Sequence, residues 1–127
     1  MKRQLILTLS LLVFTLLLGI ACEYGSHYIA VSFQNDILPI QAALADENWE
    51  EALRLTENLH FSWKSTSRLV QLWINHGDID HVTACLLDLR SALITQDLTA
   101  ALTASSQCAE NFGHLHHRDA FTLRNIL

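Results

Sequence analysis

The first feature of the chain is an uninterrupted apolar run near its N-terminus. It extends from Leu5 to Ala21 without a charged residue and follows the basic pair Lys2 and Arg3. A run of about 17 apolar residues is just long enough to cross a bilayer as a helix. Because positive charge on the short flank stays in the cytoplasm, the pattern predicts a single-pass cell-membrane protein with a cytoplasmic N-terminus and an extracytoplasmic body.

The same run also fits two processed forms. Gly19 and Ala21 are small residues with the spacing that signal peptidase requires, so cleavage after Ala21 would release a secreted protein. Cys22 follows Gly19-Ile20-Ala21, which is similar to a bacterial lipoprotein box with Gly where Leu is usual. We favour the uncleaved anchor, and all three forms place the body on the same side of the membrane. The prediction divides the chain into a signal-anchor segment, 1–22, and an extracytoplasmic helical domain, 23–127.

Beyond the run, apolar residues recur at the three- and four-residue spacings of amphipathic helices. The clearest seam is formed by Ile79, Val82, Leu86, Leu89 and Leu93. The other predicted stripes are Phe33, Ile37, Ile40 and Leu44; Trp49, Leu53, Leu59 and Trp63; and Leu98, Ala101, Leu102, Ser105, Ala109 and Phe112. Pro39 lies in the first of these stripes, so that helix is kinked there or begins near it. The spacing predicts an all-α protein.

Two segments of the predicted helical part are alike. Leu38–Trp63 and Leu87–Phe112 align at an offset of 49 residues, and each is divided by a short polar break. Asn48 and Asp97 end these breaks and are predicted helix N-caps, because their side-chain oxygens accept unpaired backbone N–H groups. Two units are too few for a free-standing solenoid. The sequence therefore predicts a membrane helix followed by a small bundle of two repeated helical hairpins.

The connection between the two hairpins is less regular. The second helix is predicted to run on through Leu72 and Trp73. Gly77 then suits a left-handed helix C-cap, and Asp78 suits the N-cap of the third helix. A short last helix is predicted over residues 118–126.

The charge distribution narrows the range of partners. The formal net charge is −5, but all 13 acidic residues and only six of the eight basic ones follow Cys22, so the body carries −7. Such a body repels phosphate backbones and has no basic stripe that would hold it on anionic lipid. We therefore expect no nucleic-acid partner.

From Trp63 onward the chain resembles a bacterial family known as domain of unknown function 4363. The resemblance rests on Trp63, His76-Gly77-Asp78-Ile79-Asp80, Leu89, Asp97 with Ala100-Ala101, His114-Leu115 and Asn125-Ile126. Asp78 departs from the family pattern, where we expect Glu. The resemblance implies a small membrane-anchored helical protein of the kind found in Gram-positive, often spore-forming bacteria. It implies no catalytic or binding residue.

Two groups of histidines are candidate metal ligands. The first group is His76, Asp80 and His81, and the second is His114, His116 and His117. In a four-helix bundle both groups lie at the same end, where imidazole and carboxylate together can hold a divalent metal ion. Capping and the helix dipole explain the acidic residues equally well, and diagnostic spacings such as HExxH are absent. We therefore assign no cofactor.

The cysteines offer a second candidate site. Cys85 and Cys108 lie at similar distances on either side of the break at Gln96, so an antiparallel hairpin brings them to one level. Outside the cytoplasm they are able to form a disulfide. Two buried free thiols are the favoured alternative, because unpaired cysteines commonly lie in cores.

Three functions are consistent with the sequence. The favoured one is a membrane-anchored extracytoplasmic scaffold or adaptor that binds another protein. The alternative is an extracytoplasmic metal- or redox-responsive sensor that uses the histidine groups or the cysteine pair. A hydrolase comes last, because the chain has no Gly-x-Ser-x-Gly elbow and no phosphate-binding glycine loop, and we expect no enzymatic activity.

Overall fold

The protein is a bundle of antiparallel helices. The computed structural model describes the backbone of residues 1–126 and the side chains of residues 1–115. The described backbone forms four helices: α1 (Lys2–Ala45), α2 (Trp49–Val70), α3 (His76–Ile94) and α4 (Leu98–Ile126). The helices form a ring in which each packs against two others, α1 against α2 and α4, and α3 against α2 and α4. The predicted all-α bundle is confirmed, but the separate last helix is wrong, because α4 continues unbroken over 118–126.

Helix α1 belongs to two environments. All of residues 1–21 are exposed, whereas from Ser26 onward the helix contributes one buried side to the bundle. Pro39 lies inside this helix and does not mark its start. The predicted segment boundary after Cys22 therefore falls within one continuous helix of 44 residues. A helix of that length is about 66 Å long, and nearly half of it extends beyond the bundle.

The two hairpin turns repeat each other in detail. The Oδ1 atom of Asn48 accepts a hydrogen bond from the backbone N–H of Glu51 at 3.3 Å. The Oδ1 atom of Asp97 accepts one from the N–H of Ala100 at 3.1 Å. Both predicted N-caps are confirmed, and the repeat in sequence corresponds to a repeat in structure.

Each turn also contains one residue with left-handed backbone geometry. Glu47 and Gln96 both have φ of 52°, and neither is glycine. In each turn the next residue donates its backbone N–H to a carbonyl of the preceding helix, Asn48 to Ala43 at 2.9 Å and Asp97 to Ala92 at 3.0 Å. These bonds satisfy carbonyls that a helix C-terminus otherwise leaves unpaired, which offsets the strain of the left-handed residue.

The connection between α2 and α3 differs from the prediction. Helix α2 ends at Val70, and α3 is capped by Asn75, whose Oδ1 accepts the N–H of Gly77 at 2.8 Å. Gly77 lies inside the first turn of α3 and does not have positive φ. Asp78 is therefore not the N-cap but a buried first-turn residue. A carboxylate at this position interacts favourably with the positive end of the helix dipole.

Three aromatic rings form the centre of the core. Phe33 on α1 stacks on Phe112 of α4 with ring centroids 5.2 Å apart. Trp63 of α2 meets both rings edge-on, at 5.4 Å from each. Its indole N–H donates to the hydroxyl of Thr83 on α3 at 3.1 Å, so the buried polar group is paired. One cluster thus joins all four helices.

The predicted stripes account for most of the remaining core. The seam of α3 and the stripe of α1 are buried throughout. On α4 the stripe is partly wrong, because Leu102 is 41% exposed, whereas Ala104 and Leu115, which the stripe omitted, are buried. Helices α1 and α4 contact each other through small residues and hydrogen bonds. In one of these bonds the side-chain Nε2 of Gln34 donates to the carbonyl of Ala109 at 3.1 Å.

Candidate functional site

The end of the bundle from which the apolar half of α1 emerges brings together several chain segments. We call it the proximal end and define it by Ser26 on α1, the α2–α3 connection (residues 71–75) and His114 on α4. The indole N–H of Trp73 donates to the hydroxyl of Ser26 at 2.9 Å, which fastens the connection to α1. Sequence reasoning missed this contact, because 47 residues separate the two partners and no local pattern links them.

The predicted metal ligands whose side chains the structure describes lie at or near the proximal end but form no cluster. His76, Asp80 and His81 are exposed near the start of α3. His114 lies near a residue of its own helix, since its Nε2 atom is 3.8 Å from a carboxylate oxygen of Glu110. Among the side chains that the structure describes, no three histidine, cysteine or acidic residues form a group that could hold a metal ion. His116 and His117 lie outside the described side chains, so the part of the prediction that rests on them stays untested.

A shallow groove of about 360 Å³ separates α1 from α4 near the proximal end. Its lining residues are His27, Ala30, Val31, Gln34, Glu110, Gly113 and His114. A Cβ atom added to Gly113 would lie 3.1 Å from Nε2 of Gln34, so the glycine permits the close approach of the two helices. The groove is open along its length, unlike the concave sites that enclose small ligands.

The two predicted cysteines meet between α3 and α4. No disulfide joins them in this structure, and Cys85 is half-buried while Cys108 is fully buried. The amide of Asn111 donates to the sulfur of Cys85 at 2.8 Å. Burial, together with the neighbouring Cys85, raises the pKa of the Cys108 thiol well above its ordinary value. Cys108 therefore stays protonated at neutral pH, and Cys85 is the more accessible thiol for an incoming oxidant.

The outer surface of the bundle carries several isolated apolar side chains. Phe61 on α2 is 75% exposed, and Leu38, Leu87 and Ile94 are also exposed. Single apolar residues on a surface are common. An exposed phenylalanine is the more informative feature, because aromatic side chains are enriched at protein–protein interfaces.

The largest exposed apolar surface belongs to the free half of α1. Its most apolar 18-residue window has a mean hydropathy of 2.7, and none of it is buried against the bundle. By length and composition this helix is able to cross a membrane, although a signal sequence near an N-terminus has the same properties. The predicted apolar N-terminal segment is therefore a helix in the structure.

These features define a class of protein: a small all-α bundle built on one long helix whose other half is an exposed apolar rod. The chain belongs to the family described as Domain of unknown function (DUF4363), which matches residues 24–126. The match confirms the resemblance seen in the sequence and extends it over the whole bundle. The match begins after the apolar run and therefore concerns the bundle alone.

No curated protein and no solved structure matches the chain.

Proposed function

We propose that the protein is a membrane-anchored scaffold whose helical bundle binds another envelope protein on the extracytoplasmic side. The observation that carries the proposal is the continuity of α1, which runs unbroken from the exposed apolar half into the bundle core. Exposing so large an apolar surface of an isolated helix to water costs free energy, and burying it in a lipid bilayer removes that cost. Lys2 and Arg3 at the short flank favour a cytoplasmic N-terminus.

The continuity of α1 also determines how the body is presented. A flexible linker would let a domain tumble relative to its anchor. Here residues 19–30 are helical, and their glycines have ordinary helical backbone angles, so there is no hinge between the two halves. The bundle would therefore be held at a fixed height and angle above the membrane, which suits a scaffold better than a free binding domain.

A protein partner is favoured over a small ligand by the surface of the bundle. The grooves on the described surface are open, and Phe61 stands out from a polar helix face that also carries Lys64 and Ser65. An aromatic ring surrounded by polar residues is similar to a protein interface, which has an apolar centre enriched in aromatic residues and a polar rim. The binding surface that we propose is this face of α2.

The proposal is tested by photo-crosslinking in the native membrane. A photoreactive amino acid at Ser65, one turn from Phe61, is expected to give a discrete protein adduct, and the adduct should be lost when Phe61→Ser is added. The matched control carries the same probe at Gln107, an exposed polar position on α4. Equal adducts from both positions, or an adduct at Ser65 that survives Phe61→Ser, would contradict a partner on this face.

The cysteine pair favours a second candidate function, a redox-responsive sensor. Cys85 and Cys108 are neighbours across two helices in a body that we place outside the cytoplasm, where disulfides persist. Exchange with an external disulfide would join the two sulfurs and release two thiols, so electrons and protons balance. The loop closed between the two cysteines corresponds to a stabilisation of about 3 kcal/mol.

Oxidation of the pair gives a direct prediction. Protein isolated without reductant and alkylated after denaturation is expected to carry one alkyl group, on Cys22, whereas protein reduced before alkylation should carry three. Without alkylation the oxidised form should be lighter than the reduced form by two hydrogen atoms, and Cys22→Ser should leave the difference of two alkyl groups unchanged. Labelling of all three without reductant would exclude the disulfide.

A further inference from the structure

We propose that the proximal end of the bundle rests in the headgroup layer of the membrane, with the α2–α3 connection inserting apolar side chains there. The inference depends on the membrane anchoring proposed above and adds a second contact with lipid. Two exposed leucines carry it: Leu72, in the connection, is 78% exposed, and Leu69, in the last turn of α2, is 59% exposed. They lie next to Trp73, whose indole bonds to α1.

The height of this connection follows from the unbroken helix. Ser26 lies five residues past Ala21, the last residue of the apolar run, which is about 7.5 Å along the helix axis. The headgroup region on each side of a bilayer is about 5–7 Å thick. With Leu5–Ala21 in the hydrocarbon core, Ser26 lies at the outer edge of that region. The hydrogen bond from Trp73 therefore holds the connection within reach of the lipid.

The exposed tyrosines of α1 support the same depth. Tyr24 and Tyr28 are 73% and 74% exposed, and they are four residues apart on one face of the helix. Tyrosine is enriched at membrane–water interfaces because its ring is apolar and its hydroxyl is polar. Tyr24 and Tyr28 lie about 4.5 and 10.5 Å past Ala21 along the helix axis. The level assigned to the connection therefore lies between the levels of two residues of a typical interfacial type.

Apolar insertion, rather than attraction to anionic lipid, accounts for the contact. The charges near the proximal end are of both signs, with Arg68 on α2 and Glu23 on α1, while the body as a whole is acidic. An excess of basic residues, which anionic surfaces attract, is absent from the described part of this end. We therefore expect the connection to insert into zwitterionic lipid surfaces as readily as into anionic ones.

The test places an environment-sensitive fluorophore at the connection. The full chain, with Cys22→Ser, Cys85→Ala and Cys108→Ala, carries Leu72→Cys labelled with a nitrobenzoxadiazole dye and is reconstituted into phosphatidylcholine vesicles. Phosphatidylcholine with a spin label near the headgroup end of its acyl chain is expected to quench most of the emission. The matched control is Phe61→Cys, which is equally exposed but farther from the proximal end, and its emission should be unaffected.

The outcomes separate this inference from the anchoring proposal. Flotation of the same vesicles reports whether the protein is inserted, and circular dichroism reports whether each labelled variant remains helical. Inserted protein with an unquenched label at residue 72 would overturn the inference and leave the anchor intact. A label that is shielded from water but not quenched by lipid would assign the surface to a second copy of the chain, which also overturns it. Protein that does not float would refute both proposals.

Discussion

Replacing Phe112 with alanine is expected to lower the free energy of unfolding by about 3–5 kcal/mol, the range for removing a large aromatic ring from a packed core. Phe112 is 0% exposed and contacts the rings of both Phe33 and Trp63. Truncation would leave a cavity at the point where α1, α2 and α4 meet. Because each helix also packs against other helices, the three can move only partly into that cavity. Since small domains are stable by only about 5–15 kcal/mol, this loss removes much of the total.

The measurement is urea unfolding of the detergent-solubilised protein, followed by circular dichroism. Phe61→Ala is the control, because it removes the same ring from a 75% exposed position on α2. Its expected effect is within about 0.5 kcal/mol, as for other surface substitutions. Equal destabilisation by the two variants would show that the aromatic cluster is not the centre of the core.

Placing two arginines in the apolar run is expected to abolish membrane insertion. Leu11 and Leu12 lie near the middle of Leu5–Ala21 and are exposed in the structure, so their replacement does not disturb the bundle core. Each arginine at the centre of a spanning helix costs about 2.5–3.5 kcal/mol, and the loss of each leucine removes a further favourable contribution of about 0.5 kcal/mol. The double variant Leu11→Arg/Leu12→Arg is therefore disfavoured by about 6–8 kcal/mol relative to the native chain.

Alkaline carbonate extraction of membranes gives the readout. The native chain is expected to remain in the membrane pellet, and the double variant is expected to be absent from it. Leu87→Arg/Ile94→Arg, two equally drastic changes at exposed positions of α3, should pellet like the native chain. A native chain that carbonate releases would argue against an uncleaved anchor, and an intact mass beginning after Ala21 would identify cleavage as the reason.

The family match concerns only the bundle, whereas the structure also describes the apolar half of α1. The family covers residues 24–126, which form the bundle, and it carries no activity that transfers to this chain. The apolar half of α1 lies outside the match. The functional proposal therefore depends on how α1 joins the two halves, and the two experiments on the proposed anchor and on Phe61 test each half separately.

Much of the fold could be predicted from local sequence. The seam of α3, Ile79 to Leu93, is buried as its spacing indicates, because the side of a helix that carries its apolar residues packs inward in a bundle. Asn48 and Asp97 cap α2 and α4 because capping involves residues only three apart. The apolar run was also identified correctly, since composition alone makes it exceptional.

The candidate site depends on more than local sequence. Cys85 and Cys108 were correctly placed at one level by counting from the hairpin turn. His76, Asp80, His81 and His114 lie at or near one end of the bundle, and no metal-binding arrangement forms among the side chains described there, whereas the prediction for His116 and His117 stays untested. Counting along helices gives the level of a residue but not the direction of its side chain, which depends on helix rotation and on neighbouring contacts.

The contacts between distant segments were decided only by the tertiary structure. Asn75 rather than Asp78 caps α3, because the end of α2 and the burial of Ile74 determine where the next helix starts. The bond from Trp73 to Ser26 forms only once α1 and the α2–α3 connection are packed together. The sequence by itself determined which residues form helices and which side of each is apolar, since those properties depend on neighbours a few positions away. The rotation, level and joining of the helices were decided by packing, because they depend on side chains that meet only after the chain has folded.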